Sequence, residues 1–282
     1  MIQLKSAIEE MNKIVVSRSD GRPAWTASEA VRCVMDGRAR QELLDWGTSP
    51  GRKALLVGAS WPRLAADLAE RDMFVTVVDP DPHQLRAVSD DAGARGLLSR
   101  VTAAPIDARE RNYENAGFNL IVCWESLERY VPREPMLKKF VRELKTGGLL
   151  YVRAHTAAPS GGTAEATMRR LLPIALSAMA PAASPTIARD SFLGARDQGV
   201  DVDALTAEID KLFIIDRQTR EHAGVFDLAD LAASVAPWLL PVLERALSRV
   251  EPSLRERHPE LSRTITVMAK KERELGGTFR VG

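Results

Sequence analysis

Short apolar runs alternate with amphipathic stretches between residues 53 and 156. The apolar runs predict strands, and they read "KALLVG", "MFVTVVD", "RVTAAPI", "FNLIVCW" and "LLYVRAH". The segments between them carry apolar residues at the three- and four-residue spacings of helices, as in "RLAADLAERD", "PHQLRAVSDDAGARG" and "PMLKKFVRELKTGG". Strands that alternate with helices indicate βαβ units. The pattern therefore predicts an α/β core built on a doubly wound, mostly parallel sheet.

The flanking segments have a different pattern. Helical spacing from Leu4 to about Trp46 predicts an N-terminal helical cap over residues 1–50. Small residues, prolines and one apolar helix-like run predict a helical insertion or lid over 157–210. "KLFIID" at 211–216 and "RTITVMAKK" at 263–271 predict two late strands, with a helical segment at 226–250 between them. The predicted core thus comprises residues 51–156 and 211–272.

Composition narrows the function classes. Apolar residues make up 45% and charged residues 27% of the 282 residues, and the net charge is +1, which favours no nucleic-acid partner. The two cysteines, Cys33 and Cys123, lack metal-binding or disulfide spacing, which favours a reducing compartment. The charged amino terminus lacks a secretory pattern, so we expect a cytoplasmic protein. The most apolar stretch, "LLPIALSAMAPAA", is shorter than the roughly 20 residues of a spanning helix, so no membrane association is expected.

The candidate chemistry lies just after each predicted strand, because open parallel sheets bind ligands beyond the carboxyl ends of their strands. These positions hold Gly58, Asp79, Asp107, Trp124 with Glu125, and His155. Asp79 stands 21 positions after Gly58, the interval that brings a carboxylate to a ribose held over the first loop. Its alternative role is a surface acid that starts the turn "DPDP".

These features together resemble a known family. The stretch "LLVGASWPRLAADLAERDMFVTVVDPDPHQL" is similar to the opening strand, loop, helix, strand and ribose-binding acid of class I S-adenosylmethionine-dependent methyltransferases. "FNLIVCWESLERYV" and "ELKTGGLLYV" resemble that family's fourth and fifth strands with their adjoining segments. "RTITVMAKK" resembles its antiparallel last strand. The resemblance implies a Rossmann-like fold with S-adenosylmethionine as cofactor.

The resemblance also implies a cofactor site. Asp107 would lie near the adenine amino group beside the Ala108 N–H, or else act as a turn or cap residue. Trp124 and Glu125 would approach the methionine and sulfonium end, or else pack within their loop. The implied cofactor-binding residues are Gly58, Ala59, Ser60, Asp79, Pro80, Asp107, Ala108, Trp124 and Glu125.

The chain departs from the family pattern in the first loop. Only Gly58 remains of its glycines, and Ser60 is compatible with the loop if its backbone stays in a region open to L-residues. Pro62 suits the start of a helix. Trp61 either covers the methionine portion of the cofactor or packs against the protein. Elsewhere, Leu56, Asn119 and Arg129 stand where the family often has an acid, an aspartate and a histidine.

Two side chains on the expected active edge are candidate general bases, His155 and Tyr130. No metal site is predicted. The sequence favours a methyltransferase that acts on a small organic acceptor in a lidded pocket. The alternative is a non-catalytic binding or assembly subunit that keeps the fold. The acceptor and its methylated atom are left open, as is the oligomeric state, for which a homodimer is one candidate.

Overall fold

The structure, a computed structural model, describes residues 36–110, 117–156, 199–221, 262 and 264–272. One compact unit comprises Ala39–Thr156, Gly199–Thr219 and Ile265–Gly282, and a second comprises Met1–Arg38, Ala157–Gln198 and Arg220–Thr264. Most of the predicted cap and insertion, and the whole helical segment at 226–250, lie outside the described residues. The proposed division into cap, core and lid therefore stays a prediction.

Seven strands of the described ranges form one sheet in the order β3-β2-β1-β4-β5-β7-β6. The first five are β1 (Lys53–Val57), β2 (Phe74–Val78), β3 (Val101–Ala104), β4 (Phe118–Trp124) and β5 (Leu144–His155), and they pair in parallel. The last two, β6 (Ile214–Glu221) and β7 (Thr264–Lys270), bring the antiparallel end of this mostly parallel sheet. The predicted doubly wound α/β fold with an antiparallel last strand is confirmed.

Helices connect and flank these strands. They are α1 (Gly37–Gly47), α2 (Arg63–Glu70), α3 (Pro82–Ala94), α4 (Glu134–Glu143) and α5 (Val202–Asp210), with a 3₁₀ turn at Leu127–Arg129. Of these, α1 beyond Arg38 and the whole of α5 belong to the same compact unit as the sheet. None of the helices in the described part of the chain combines the length and apolar character needed to cross a bilayer.

Two predicted boundaries were wrong. The late strand predicted at 211–216 begins instead at Ile214 and runs to Glu221, because Lys211 still caps α5 and buried Phe213 packs into the core. The residues "KTGG", which the pattern included in the preceding helical stretch, belong to β5, because β5 begins directly after α4 ends at Glu143. A register shift absorbs the extra residues, since Phe118 pairs with Leu144 but Leu120 pairs with Leu149.

The central strands of the sheet are buried on both faces, which explains their nearly continuous apolar sequences, whereas β6 at one edge is largely exposed. On one face, Leu55, Ile121 and Val152 pack with apolar residues of α4 and α5. On the other, Leu56, Leu120 and Tyr151 pack with apolar residues of α1, α2 and α3. Each fully buried leucine contributes roughly 1.5–3 kcal/mol to folding. Strand order reverses between β1 and β4, so the crevice expected to bind a ligand lies at their carboxyl ends.

Candidate active site

The loop after β1 depends on one glycine. Gly58 has a φ of +90° and donates its N–H to the carbonyl of Val78 over 2.8 Å. A Cβ at this position would lie 2.6 Å from Cβ of Ser126, whose hydroxyl donates to the carbonyl of Val57. The left-handed backbone and this close approach both require glycine. Gly58 thus joins the ends of β1, β2 and β4.

The remaining loop residues do not require glycine. Positive φ at non-glycine positions is confined, within the described ranges, to Asp72 and Glu125, so Ser60 keeps a backbone that L-residues readily adopt. The Ser60 hydroxyl donates to the carbonyl of Trp124 over 2.6 Å. Pro62 caps α2 with a φ of −55°, which confirms its predicted place at a helix start. The loop is therefore well formed with a single glycine.

Asp79 is fully buried, so its interpretation as a surface turn residue was wrong. Its Oδ2 accepts the N–H of Ala59 over 2.9 Å, and its Oδ1 accepts the N–H of Asp81 over 2.8 Å. The Arg129 guanidinium lies 3.4 Å from Oδ2, with nearly half of the arginine side chain exposed. Asp79 thus fixes the β1 loop to the β2 turn, and Pro80 lies exposed within that turn.

Asp107 also faces an arginine. Its Oδ2 accepts a hydrogen bond from Nη2 of Arg109 over 2.8 Å, and its Oδ1 accepts the Arg109 backbone N–H over 2.8 Å. The hydrogen bond from the Arg109 side chain lowers the pKa of Asp107, against a smaller opposing effect of burial. Ala108 beside it is buried, and its carbonyl accepts Nζ of Lys139 over 2.7 Å. Asp107 therefore has the turn role that was predicted as its alternative. The Asp107 carboxylate still keeps lone pairs that could accept further hydrogen bonds.

Trp124 ends β4 within an aromatic cluster. Its ring stacks on Tyr151 at a centroid distance of 6.0 Å and forms a T-shaped pair with Trp61 at a centroid distance of 5.2 Å. The Arg153 guanidinium lies 5.1 Å from the Trp124 ring. The indole Nε1 of Trp124 is buried and has no hydrogen-bond partner among the described residues. The packing role considered for Trp61 and Trp124 is therefore real, and one donor remains at the edge of the site.

Two carboxylates surround His155 at the end of β5. Oε2 of Glu125 lies 3.4 Å from Nε2 of His155, and Oε1 of Glu128 accepts the His155 backbone N–H over 2.7 Å. Glu125 has a φ of +49°, and its own N–H donates to the carbonyl of Arg153 over 2.7 Å. Burial raises the pKa of Glu128, and the nearby Glu125 adds to this against hydrogen bonds and the charge of His155. The predicted candidates Glu125 and His155 are thus brought together.

Tyr130, the other predicted base, is in a different environment. Its side chain is buried, and the Arg109 guanidinium lies 5.5 Å from its ring centroid. Burial, together with the charges of Asp107, Cys123 and Asp79, raises the pKa of Tyr130 to about 12. A phenol with so high a pKa retains its proton near neutral pH. This geometry therefore gives no support to the prediction that Tyr130 acts as a general base.

The sequence interpretation missed three contributors, Glu128, Ser126 and Arg109. Glu128 lies in the 3₁₀ segment three positions after Glu125, so a second acid close behind Glu125 was the available signal. Ser126 and Arg109 act through contacts that no local pattern marks. Within the described residues, no group of three or more histidine, cysteine, aspartate or glutamate side chains could hold a metal ion.

Comparison with known proteins now adds to this geometry. Residues 54–148 match the family model described as a methyltransferase domain. A 134-residue segment is 27% identical to the 27-O-demethylrifamycin SV methyltransferase of Amycolatopsis mediterranei strain S699. That segment spans 48% of this chain and 46% of the relative, so the match covers less than half of either protein.

Solved structures show the same fold. The [4+2]-cyclase SpnF is 18% identical with a TM-score of 0.58, over 96% of this chain and 94% of that one. A geranyl diphosphate methyltransferase in complex with SAM is 13% identical with a TM-score of 0.56, over 92% and 94% of the two chains. The matched family model agrees with the order of the strands, the loop after β1 and the acids that follow β2 and β3. Residues 54–148 thus match a methyltransferase domain, and the sheet around them has the fold of the class I S-adenosylmethionine-dependent methyltransferases.

Proposed function

We propose that this chain transfers a methyl group from S-adenosylmethionine to a small organic molecule. The observation that carries the proposal is the pairing of Glu125 with His155 at the sheet edge that also bears Gly58 and Asp79. The relative from Amycolatopsis is named for the small molecule that it methylates, 27-O-demethylrifamycin SV, which supports this acceptor class. A small-molecule acceptor is thus the partner that we propose, with no nucleic acid or membrane partner.

The described residues fit the cofactor. The Gly58, Ala59 and Ser60 loop, with Asp79 and Pro80, would hold the ribose. Asp107 and Ala108 would hold the adenine, because a carboxylate accepts and a backbone N–H donates. The buried indole N–H of Trp124, which lacks an acceptor among the described residues, offers a donor for the methionine carboxylate. Bound S-adenosylmethionine supplies an electrophilic methyl group on a sulfonium.

The His155 side chain supplies the proton acceptor in this proposal. A neutral imidazole that donates Nε2–H toward Glu125 carries its lone pair on Nδ1. An acceptor O–H or N–H would lose its proton to Nδ1 while its heteroatom gains the methyl group and the carbon–sulfur bond breaks. Glu125 would then stabilise the imidazolium, as an oriented carboxylate does beside a general base. With its side chain 39% exposed, His155 is accessible to an acceptor.

The first test is binding. We expect calorimetry to show S-adenosylhomocysteine binding to the wild type and at least tenfold weaker binding to Asp79→Asn, because an amide replaces one acceptor oxygen with a donor. Asp72→Asn is the matched control, since Asp72 is exposed and precedes β2 at the other end of the sheet. Unchanged binding to Asp79→Asn would remove Asp79 from the ribose site.

The second test is turnover. S-adenosylhomocysteine release would be measured with 27-O-demethylrifamycin SV and a panel of small alcohols, phenols and amines. For an accepted substrate, His155→Ala should lower kcat by about 10²–10⁴-fold, the usual contribution of a general base. Glu125→Gln should lower it less. If His155→Ala turned over at the wild-type rate, His155 would not be the base, and alignment alone would carry the reaction.

A second candidate is the non-catalytic binding or assembly subunit. Two observations favour it: the family's later loop glycines are replaced, and both candidate cofactor acids already face arginines. The likeness to a protein described as a [4+2]-cyclase also means that this fold does not by itself specify methyl transfer. Cofactor binding without turnover of any acceptor would favour this candidate. A cytoplasmic location and a homodimer stay predictions, and sedimentation equilibrium tests the latter.

A further inference from the structure

The two acids proposed to bind the adenosine part of the cofactor share one feature. Asp79 faces the Arg129 guanidinium at 3.4 Å, and Asp107 forms a two-point ion pair with Arg109 whose closest distance is 2.8 Å. Ribose hydroxyls and an adenine amine are hydrogen-bond donors, and so are guanidinium groups. Each arginine therefore occupies a position at which adenosine would donate.

The exposure of these groups indicates which of them must move. Asp79 is fully buried, and its other two donors are backbone N–H groups of the turns at Ala59 and Asp81. The Arg129 side chain is 48% exposed, so it can leave Asp79 into solvent while those backbone donors stay. The same holds for Arg109, whose side chain is 60% exposed and whose own backbone N–H still reaches Asp107.

We propose that Arg109 and Arg129 form an arginine latch, which closes the adenosine half of the site and must open before the cofactor binds. The inference rests on the proposed function, because it takes Asp79 and Asp107 as adenosine acceptors. The latch also keeps both carboxylates compensated when no cofactor is bound, which limits the cost of an uncompensated buried charge at Asp79. Arg129 and Arg109 are thus residues that lower cofactor affinity rather than contact the reacting atoms.

The salt dependence of adenosine affinity distinguishes this latch from two arginines with a purely structural role. Added salt weakens exposed ion pairs, whereas adenosine is neutral and forms none of its own. If the latch competes with adenosine, adenosine affinity should rise with salt. Exposed pairs contribute little individually, so we expect a change of roughly two- to fivefold per arginine.

The experiment measures dissociation constants of adenosine and S-adenosylhomocysteine by calorimetry at 20 mM and 500 mM sodium chloride. Wild type is compared with Arg109→Met, Arg129→Met and the double variant, in which methionine keeps an apolar stem without charge or donor. The double variant should bind adenosine more tightly than wild type at low salt and lose the salt-dependent gain. The salt dependence of the wild type tests the latch even if a variant fails to fold. Thermal unfolding checks that each variant folds.

Arg100→Met is the matched control, because Arg100 forms a partly exposed pair with Asp72 at the amino ends of β2 and β3. It should leave both affinities and their salt dependence unchanged. Equal affinities of wild type and double variant at both salt concentrations would overturn the latch while leaving cofactor binding intact. Binding to neither protein would overturn the proposed function and the latch with it, whereas binding to the double variant alone would support both.

Discussion

At the residue scale, the first loop shows how few glycines this geometry needs. Gly58 combines a positive φ with a backbone packed against Ser126, whereas Ser60 has an ordinary backbone and uses its hydroxyl on the carbonyl of Trp124. Only the position of Gly58 therefore excludes a side chain. The departures from the family pattern at Ser60 and Pro62 are therefore compatible with a formed loop.

Gly58→Ala should destabilise the protein through two effects. A left-handed backbone costs an L-residue about 1–2 kcal/mol, and the clash with Ser126 adds roughly 1–3 kcal/mol of overpacking. Gly96→Ala isolates the first effect, because Gly96 has a φ of +71° with no atom within 4 Å of an added Cβ. Urea unfolding measures both. Equal losses in the two variants would show that the contact with Ser126 is relieved at no cost.

At the element scale, helix α3 fixes the turn that carries Asp79. Asp81 caps this helix by accepting the N–H of His83 over 2.8 Å, and its own N–H donates to Asp79. Pro82 follows at the first helical position, where its fixed φ is suited to the helix. The cap therefore connects the start of α3 with the candidate ribose acid.

Asp81→Ala should lower the free energy of unfolding by about 0.5–2 kcal/mol, the usual cost of losing an N-cap side chain. The backbone N–H to Asp79 remains, so the effect on S-adenosylhomocysteine affinity should be small beside that of Asp79→Asn. Asp90→Ala is the control, because Asp90 is an exposed residue of the same helix. A stability of Asp81→Ala equal to that of the control would mean that water replaces the cap fully.

At the scale of the whole molecule, the site depends on strands from distant parts of the chain. Asp79 and Arg129 are 50 positions apart, and Glu128 and His155 are 27 apart. The order of β1, β4 and β5 brings them to one edge. The stability of the whole fold is consequently linked to protonation of the buried groups at that edge.

Glu128 should make stability depend on pH. Its pKa is raised in the folded protein, chiefly by burial, so the folded state binds its proton more tightly than the unfolded chain does. This contribution is present below the unfolded pKa and is lost as pH rises through the folded pKa. Glutamine does not titrate, so Glu128→Gln escapes this loss. The free energy of unfolding of Glu128→Gln minus that of the wild type should therefore increase from pH 4 toward neutral pH.

Denaturant unfolding across pH measures this difference. Glu134→Gln is the control, because Glu134 is exposed and its hydrogen bond from Lys138 lowers its pKa. Its folded state binds the proton less tightly, so the effect of this substitution should have the opposite sign. A difference between Glu128→Gln and wild type that is constant across pH would contradict the shifted pKa of Glu128.

The sequence by itself determined the succession of strands and helices, because the spacing of apolar residues is a local property. It also placed Gly58, Asp79, Asp107, Glu125 and His155 at one edge, since parallel strands carry their carboxyl ends there. Only the tertiary structure decided which groups meet: Gly58 with Ser126, Asp79 with Arg129, and Glu125 with His155. Those pairs depend on strand order, backbone turns and burial, which no local pattern of apolar and polar residues encodes.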